Sequence, residues 1–274
     1  MNLKKPFDLK GKVAVITGAS GVLCSTLALA LGRQGADVVA VGHANMDRAE
    51  GVARQIVAGG GKAIAAQADV LSRDSLEGLA RKTLDAYGRI DILINGAGGA
   101  KAEATTSETL SFFDLPEDAV RWVFDLNFTG TFLACQVIGR QMVGQEGGSI
   151  LNIASMGAYR PLTRSAAYSA AKAAIVNFTQ WLAVHISQEY TPNIRVNAIA
   201  PGFFLTEQNR FLLLDEEDDL TERGQRILDH TPMGRFGQPE DLVGPALLLL
   251  SDVAPFVHGV TLAIDGGMSA YGGV

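Results

Sequence analysis

The sequence predicts an α/β fold, a single Rossmann-like doubly wound parallel sheet of seven strands with helices on both faces. Three observations predict it. Short β-branched runs, apolar on both faces, recur along the chain, as strands buried between two helix layers do. Helical stretches alternate with these runs, and right-handed crossovers then wind the sheet in both directions. The 274 residues are 47% hydrophobic but only 7% aromatic, with 31 glycines. That composition suits a core of Ala, Val, Ile and Leu rather than an aromatic-rich sandwich.

In chain order, the strands are expected at Lys12–Thr17, Asp37–Val41, Ala63–Ala66, Ile90–Asn95, Ser149–Ile153, Ile194–Ala200 and Val260–Ile264. Helical stretches fall at Ser25–Arg33, Ser75–Tyr87, Pro116–Met142 and Ala166–Glu189. The alternation stops at 203–231, where an acidic run, Asp215–Asp219, appears. A long irregular insertion of this kind reads as a lid or a mobile loop, and the acidic run reads as a solvated face. Residues 1–274 thus read as a single domain with a lid-like insertion around 203–231.

Composition excludes several classes. Lys and Arg number 23 against 29 Asp and Glu, a formal charge of −6 with no dense basic stripe, which argues against nucleic acid as a partner. Two cysteines, Cys24 and Cys135, make no disulfide framework. Four scattered histidines (43, 185, 230 and 258) lack metal-ligand spacing, so no metal is expected. The N-terminus has no apolar signal region and no apolar stretch reaches a membrane span. The chain reads as soluble and cytoplasmic, acting on a small molecule.

Thr17-Gly18-Ala19-Ser20-Gly21-Val22 follows the first strand and opens a helix. In that context glycine backbone approaches a pyrophosphate at a helix N-terminus, with Leu23 in the same turn. An ordinary strand-to-helix turn also favours Gly and Ser. Asn95-Gly96-Ala97-Gly98 ends the fourth strand, where small residues keep a cofactor cleft open at the point of strand-order reversal. The alternative there is a tight strand exit.

Tyr168 and Lys172 stand four apart on one expected helix face, with Ser155 thirteen residues upstream. A nearby ammonium favours the phenolate and brings a tyrosine toward the range useful for general acid–base catalysis. The Ser155 hydroxyl can hold a carbonyl oxygen, or serve as a cap or turn residue.

Together these residues resemble the short-chain dehydrogenase/reductase family over about Leu9 to Gly267. The resemblance implies a catalytic tetrad of Asn127, Ser155, Tyr168 and Lys172. Tyr168 would be the acid or base at the substrate carbonyl and Ser155 would orient the substrate. Lys172 would depress the tyrosine pKa and hold the nicotinamide ribose, and Asn127 would anchor a relay water. Asp69 and Val70 would contact adenine, while Pro201, Gly202 and Thr206 would meet the nicotinamide. The family also implies a homotetramer.

Two departures stand out. The family's Thr-Gly-x-x-x-Gly-x-Gly needs glycines at 22 and 24, where Val22 and Cys24 stand, so the turn must differ locally. The acidic residue that grips the ribose of NAD is absent, and the second strand ends Val41-Gly42-His43. Room for a 2′-phosphate and a nearby imidazole favour NADP over NAD. A narrower resemblance, through Gly21–Cys24, Asn177–His185 and Thr231–Gly237, is to a branch acting on sugar acids of the D-mannonate/D-fructuronate kind. A carboxylate substrate needs a cation. Lys101 and Arg164 are the candidate substrate contacts, with Arg160 and Arg210 in segments that should also border the site. The alternatives are another carbonyl substrate (a polyol, gluconate or a 3-oxoacyl thioester) or a dinucleotide-binding protein without catalysis. The Tyr/Lys pair argues against the last.

Overall fold

The computed structural model describes residues 7–145, 147–206 and 210–273, without the side chains of Phe211 and Leu212. Seven strands form one all-parallel sheet: β1 (Val13–Thr17), β2 (Asp37–Gly42), β3 (Ala63–Gln67), β4 (Ile92–Asn95), β5 (Gly148–Ile153), β6 (Ile194–Pro201) and β7 (Thr261–Ile264). Their order is β3-β2-β1-β4-β5-β6-β7. The register sets Val15 beside both Val39 and Leu93, and aligns the strand ends Thr17, Asn95 and Asn152. The order reverses beside β1, so a crevice opens above the ends of β1 and β4.

Alternation along the strands divides the core. Ala14, Ile16, Val38, Ile94 and Leu151 pack on one face against α1 (Val22–Arg33), α2 (Met46–Ala58) and, further along the chain, Val243–Leu250. Val15, Val39, Leu93 and Ile150 pack on the other against α3 (Arg73–Tyr87) and the long helices that flank β5. Strands covered on both sides need apolar residues at every position, which is why they read as continuous runs. β4 starts two residues later than expected because Asp91 is a clamp. Its buried carboxylate accepts the Val13 amide at 2.9 Å and both Arg89 N–H groups at 2.8 and 2.6 Å.

Three expectations change. The helix expected over 116–142 is divided into α4 (Glu117–Phe124), a five-residue π turn at Asp125–Thr129, and α5 (Gly130–Val143). The widened turn follows Asn127, whose side chain is drawn out of the helical ladder. Second, α2 is a full helix with Ala49, Val52, Ala53 and Ile56 buried, the i, i+3, i+4, i+7 spacing of an amphipathic helix.

Third, the 203–231 segment is ordered in its described residues and not irregular. After α6 (Ala166–Glu189) and β6 it holds α7 (Arg210–Leu213) and α8 (Glu222–Asp229), and α9 (Val243–Leu250) follows it. Between α7 and α8, Leu214 and Leu220 form a bridge around the acidic run. The Asp215 carboxylate accepts the amides of Glu217 and Asp219 at 3.1 and 2.9 Å. Asp218 pairs with Arg210, which therefore clamps this segment to itself and is not a free cation at the cleft. The acidic run closes a turn; it is more than a solvated face. No helix of the described residues is long and apolar enough to cross a membrane.

Candidate active site

The floor of the crevice is built from three glycines. Gly18 has φ +69°, and a Cβ there would lie 2.7 Å from the Gly96 carbonyl. A Cβ on Gly98 would lie 2.6 Å from Asn127 Oδ1 and 3.4 Å from Lys172 Nζ. Gly21, one place away from the family position, caps α1, and no side chain bonds to that helix end. The first-turn amides of Val22 and Leu23 thus remain available to an anion, beside half-buried Ser20. Glycines that tolerate no side chain and a helix start with uncapped amides fit a dinucleotide.

Thr17 welds this floor together. Its buried hydroxyl donates to the Ile94 carbonyl and accepts the Gly96 and Ala97 amides at 3.1 and 3.2 Å. Sequence reasoning assigned it no role, although a hydroxyl at a strand end beside two glycine-rich exits was a usable signal. Asn95 is placed differently from expectation. Its side chain points into the core, donating to Asn152 Oδ1 at 2.9 Å and Cys135 Sγ at 3.1 Å. Asn152 in turn donates to Thr179, which donates to the Ile175 carbonyl. Asn95 can therefore serve a cofactor only through its backbone.

Above the floor, the expected tetrad comes together. Ser155 stands two residues past β5, half-buried, and its Oγ accepts the Gly157 amide at 3.1 Å. It is thus a turn cap, and its hydroxyl also acts on the Tyr168 phenol, favouring its charged form. Tyr168 and Lys172 lie on the first turns of α6, the Lys172 ammonium 5.5 Å from the tyrosine ring centroid. Burial raises the Tyr168 pKa above its ordinary value, and the Ser155 hydroxyl offsets part of the rise. This corrects the expectation that Lys172 sets the direction. The lysine is itself buried, donates to the Ile153 carbonyl at 2.8 Å, and is pushed down to about 8 by desolvation.

Asn127 is fully buried in the π turn. Its amide donates to the Gly99 and Val123 carbonyls at 2.7 and 2.8 Å, and its Oδ1 accepts the Gly99 amide at 3.2 Å. Its own carbonyl accepts the Thr131 hydroxyl. Asn127 thus fastens the β4 exit loop beside Lys172.

The remaining expected contacts spread around this centre. Val70 is buried against Gly130, and the Asp69 carboxylate accepts the Leu71 amide, shaping the loop after β3. His43 is exposed at the β2 exit, its carbonyl held by Gln67. Gly42 is small because α2 packs on it, a Cβ there meeting Met46 Sδ at 3.0 Å and Ala49 Cβ at 3.2 Å. Pro201 ends β6, Gly202 abuts Asp265, and the Thr206 carbonyl receives the Arg210 amide.

On the rim, the Lys101 ammonium lies 5.6 Å above the Trp122 ring centroid. Arg164 lies just before α6 and its cap Ser165, four residues ahead of Tyr168. Its carbonyl accepts the Thr106 amide at 2.9 Å, joining the two loops that flank the cleft, while its side chain is exposed. Arg160 reaches the Ser269 carbonyl. No cluster of metal-ligating residues exists among the described residues.

Comparison with known proteins agrees with this geometry. The family described as enoyl-(acyl carrier protein) reductase matches residues 18–269. An uncharacterised oxidoreductase of Bacillus subtilis is 48% identical, covering 97% of this chain and 98% of its own. A 2-dehydro-3-deoxy-D-gluconate 5-dehydrogenase of Dickeya dadantii is 35% identical over 96% of this chain and 98% of its own. A solved structure from Haemophilus influenza, provisionally named a D-mannonate oxidoreductase and holding NAD, superposes with a TM-score of 0.92. It is 45% identical and covers both chains in full. A sheet that reverses order beside β1, a glycine floor and a Ser–Tyr–Lys–Asn cluster above it thus accompany full-length similarity. This chain belongs to the short-chain dehydrogenase/reductase family and is an NAD(P)-dependent oxidoreductase.

Proposed function

We propose that the chain interconverts a secondary alcohol and a ketone on a sugar acid of the D-mannonate/D-fructuronate kind. The observation that carries the reaction is Tyr168, its ring centroid 5.5 Å from the Lys172 ammonium and four residues before that lysine, over a floor of glycines. A bound nicotinamide would accept or deliver the hydride. Tyr168, kept protonated at neutral pH by burial, gives its proton to the ketone oxygen in reduction and recovers it in oxidation. Ser155 holds that same oxygen. Lys172 holds the ribose, and Asn127 keeps the Gly99 loop and the relay path in place.

The acid half of the reading rests on the rim. Arg164 stands where the two flanking loops are joined, and Lys101 lies in the loop it is joined to; a carboxylate reaching both would make charge-assisted bonds. The relatives that act on gluconate derivatives, and the neighbour provisionally named for mannonate, support this class. NADP is favoured over NAD because exposed His43 takes the place of a carboxylate at the β2 exit, and Gly42 no longer enters that argument. The working form is a cytoplasmic homotetramer, with 203–231 as the lid over the substrate.

The test compares Lys101→Ala and Arg164→Ala with the parent on an aldonate and a neutral polyol of equal length, each with NAD and NADP. Loss of one charge-assisted bond should cost about 1.5–3 kcal/mol in affinity for the acid alone. Equal effects on acid and polyol exclude carboxylate recognition by these residues, and stronger turnover with NAD excludes the cofactor preference.

A further inference from the structure

Cys24 holds the position of the nucleotide motif's third glycine, with its side chain buried beneath the β4 exit. A Cβ on Gly96 would lie 2.0 Å from Cys24 Sγ and 2.9 Å from the Thr17 carbonyl oxygen. Only glycine fits opposite this thiol. The other sides are closed as well: Gly18 abuts the Gly96 carbonyl, and the Thr17 hydroxyl holds the amides of 96 and 97. Two residues further, Gly98 lies against Asn127 Oδ1 and Lys172 Nζ. A displacement at Gly96 is therefore passed through a short, clamped peptide to two members of the tetrad.

The third glycine of such a motif serves close approach of helix and strand. In this chain the room for that approach is on the strand side of the contact. We propose that Cys24 and Gly96 form a reciprocal packing pair that replaces the third glycine, and that Cys24 is thereby a positioning residue for the cofactor floor. The thiol acts as volume and not as a nucleophile. Burial pushes its pKa up to about 12, so it stays neutral and packs as a small hydrophobe. The pair also accounts for the family motif being broken at 24 without loss of the fold.

Gly96→Ala, Cys24→Gly and the double variant are titrated with NADH and with NADPH by nucleotide fluorescence, with thermal unfolding measured alongside. Gly96→Ala should weaken binding by about tenfold or more, the factor that moderate overpacking implies. Cys24→Gly should weaken it by about threefold at most, and the double variant, which keeps only the contact with the Thr17 carbonyl, should bind about threefold or more tighter than Gly96→Ala, as coupled neighbours do. A role confined to stability would lower Tm and leave the Kd of the folded protein unchanged. If Gly96→Ala does not fold, a folded double variant that binds nucleotide shows the same rescue. The proposal is overturned if Gly96→Ala binds normally, or if the double variant binds as weakly as Gly96→Ala. It is equally overturned if the double variant fails to fold where Cys24→Gly folds, or if Cys24→Gly itself cannot bind.

Discussion

Tyr168 is held protonated by its surroundings while Lys172, one turn on, is driven toward its neutral form. Tyr168→Phe removes the acid/base group but not the ring that packs beside Ala104 and Val123. Turnover should fall by about 10²–10⁴ or more, while NADPH binding, followed by fluorescence, stays within a few-fold of the parent. Near-normal turnover would refute the assigned mechanism. Lys172 gives a second prediction. Its ammonium is the form that can donate to a ribose, and its pKa of about 8 lies below the ordinary lysine value. Cofactor affinity should therefore be highest below pH 8 and decline as pH rises through it. Lys172→Met should bind more weakly and abolish that pH dependence. At this scale Tyr168 and Lys172 were legible as a pair because their spacing puts them on one helix face, whereas Asn127 and the role of Ser155 came only with the family resemblance. The rim cations were less so: Lys101 is drawn over Trp122, twenty-one positions away, and no local pattern announces that contact.

The central strands were legible because burial on both faces leaves β-branched runs, and the thinly covered edge strands β3 and β7 because short apolar stretches mark them. The π turn was not, since the apolar spacing of 116–142 continues through it and only the partners of Asn127 reveal the widened turn. Such turns cluster at functional sites, and this one brings a buried amide to Gly99. Asn127→Ala would leave the Gly99 and Val123 groups without their partner, each at a cost of about 1–3 kcal/mol where burial excludes water. Tm should fall, and cofactor binding should weaken in the protein that remains folded. A variant with unchanged Tm and unchanged Kd would show that the loop is held by other means. The helices of 203–231 escaped the sequence because they are short, and α2 because its apolar face is only four residues, two of them alanine.

Across the whole molecule, the surface carries apolar side chains that a solitary chain has no use for. Trp181 is 53% exposed and stacks on His185, and Val184 on the same helix is 56% exposed. On the other side of the sheet Phe256 is fully exposed, near the thinly covered strand β7. Patches of this kind mark contacts between proteins, and they support the proposed tetramer. Light scattering should give a mass near four times 28.9 kDa for the parent. Trp181→Glu should reduce it while leaving the far-ultraviolet circular dichroism unchanged; a tetramer in both would place the contacts elsewhere.

The two strands that bound the cofactor floor are far apart in the chain. The Val13 amide reaches the Asp91 carboxylate 78 residues on, and the Gly96 amide reaches Thr17 across 79. Pairing at such separation closes a long loop before any contact repays its entropy, and is intrinsically slow. β1, β2 and β3, by contrast, join through successive short crossovers. The seam between β1 and β4 therefore carries the larger loop-closure cost, and the crevice lies along that seam. A growing chain holds three of its seven strands before β4 completes that seam, and Lys172 must also be synthesised before the site is finished. A nucleotide that binds along this seam stabilises only chains in which β1 and β4 have paired.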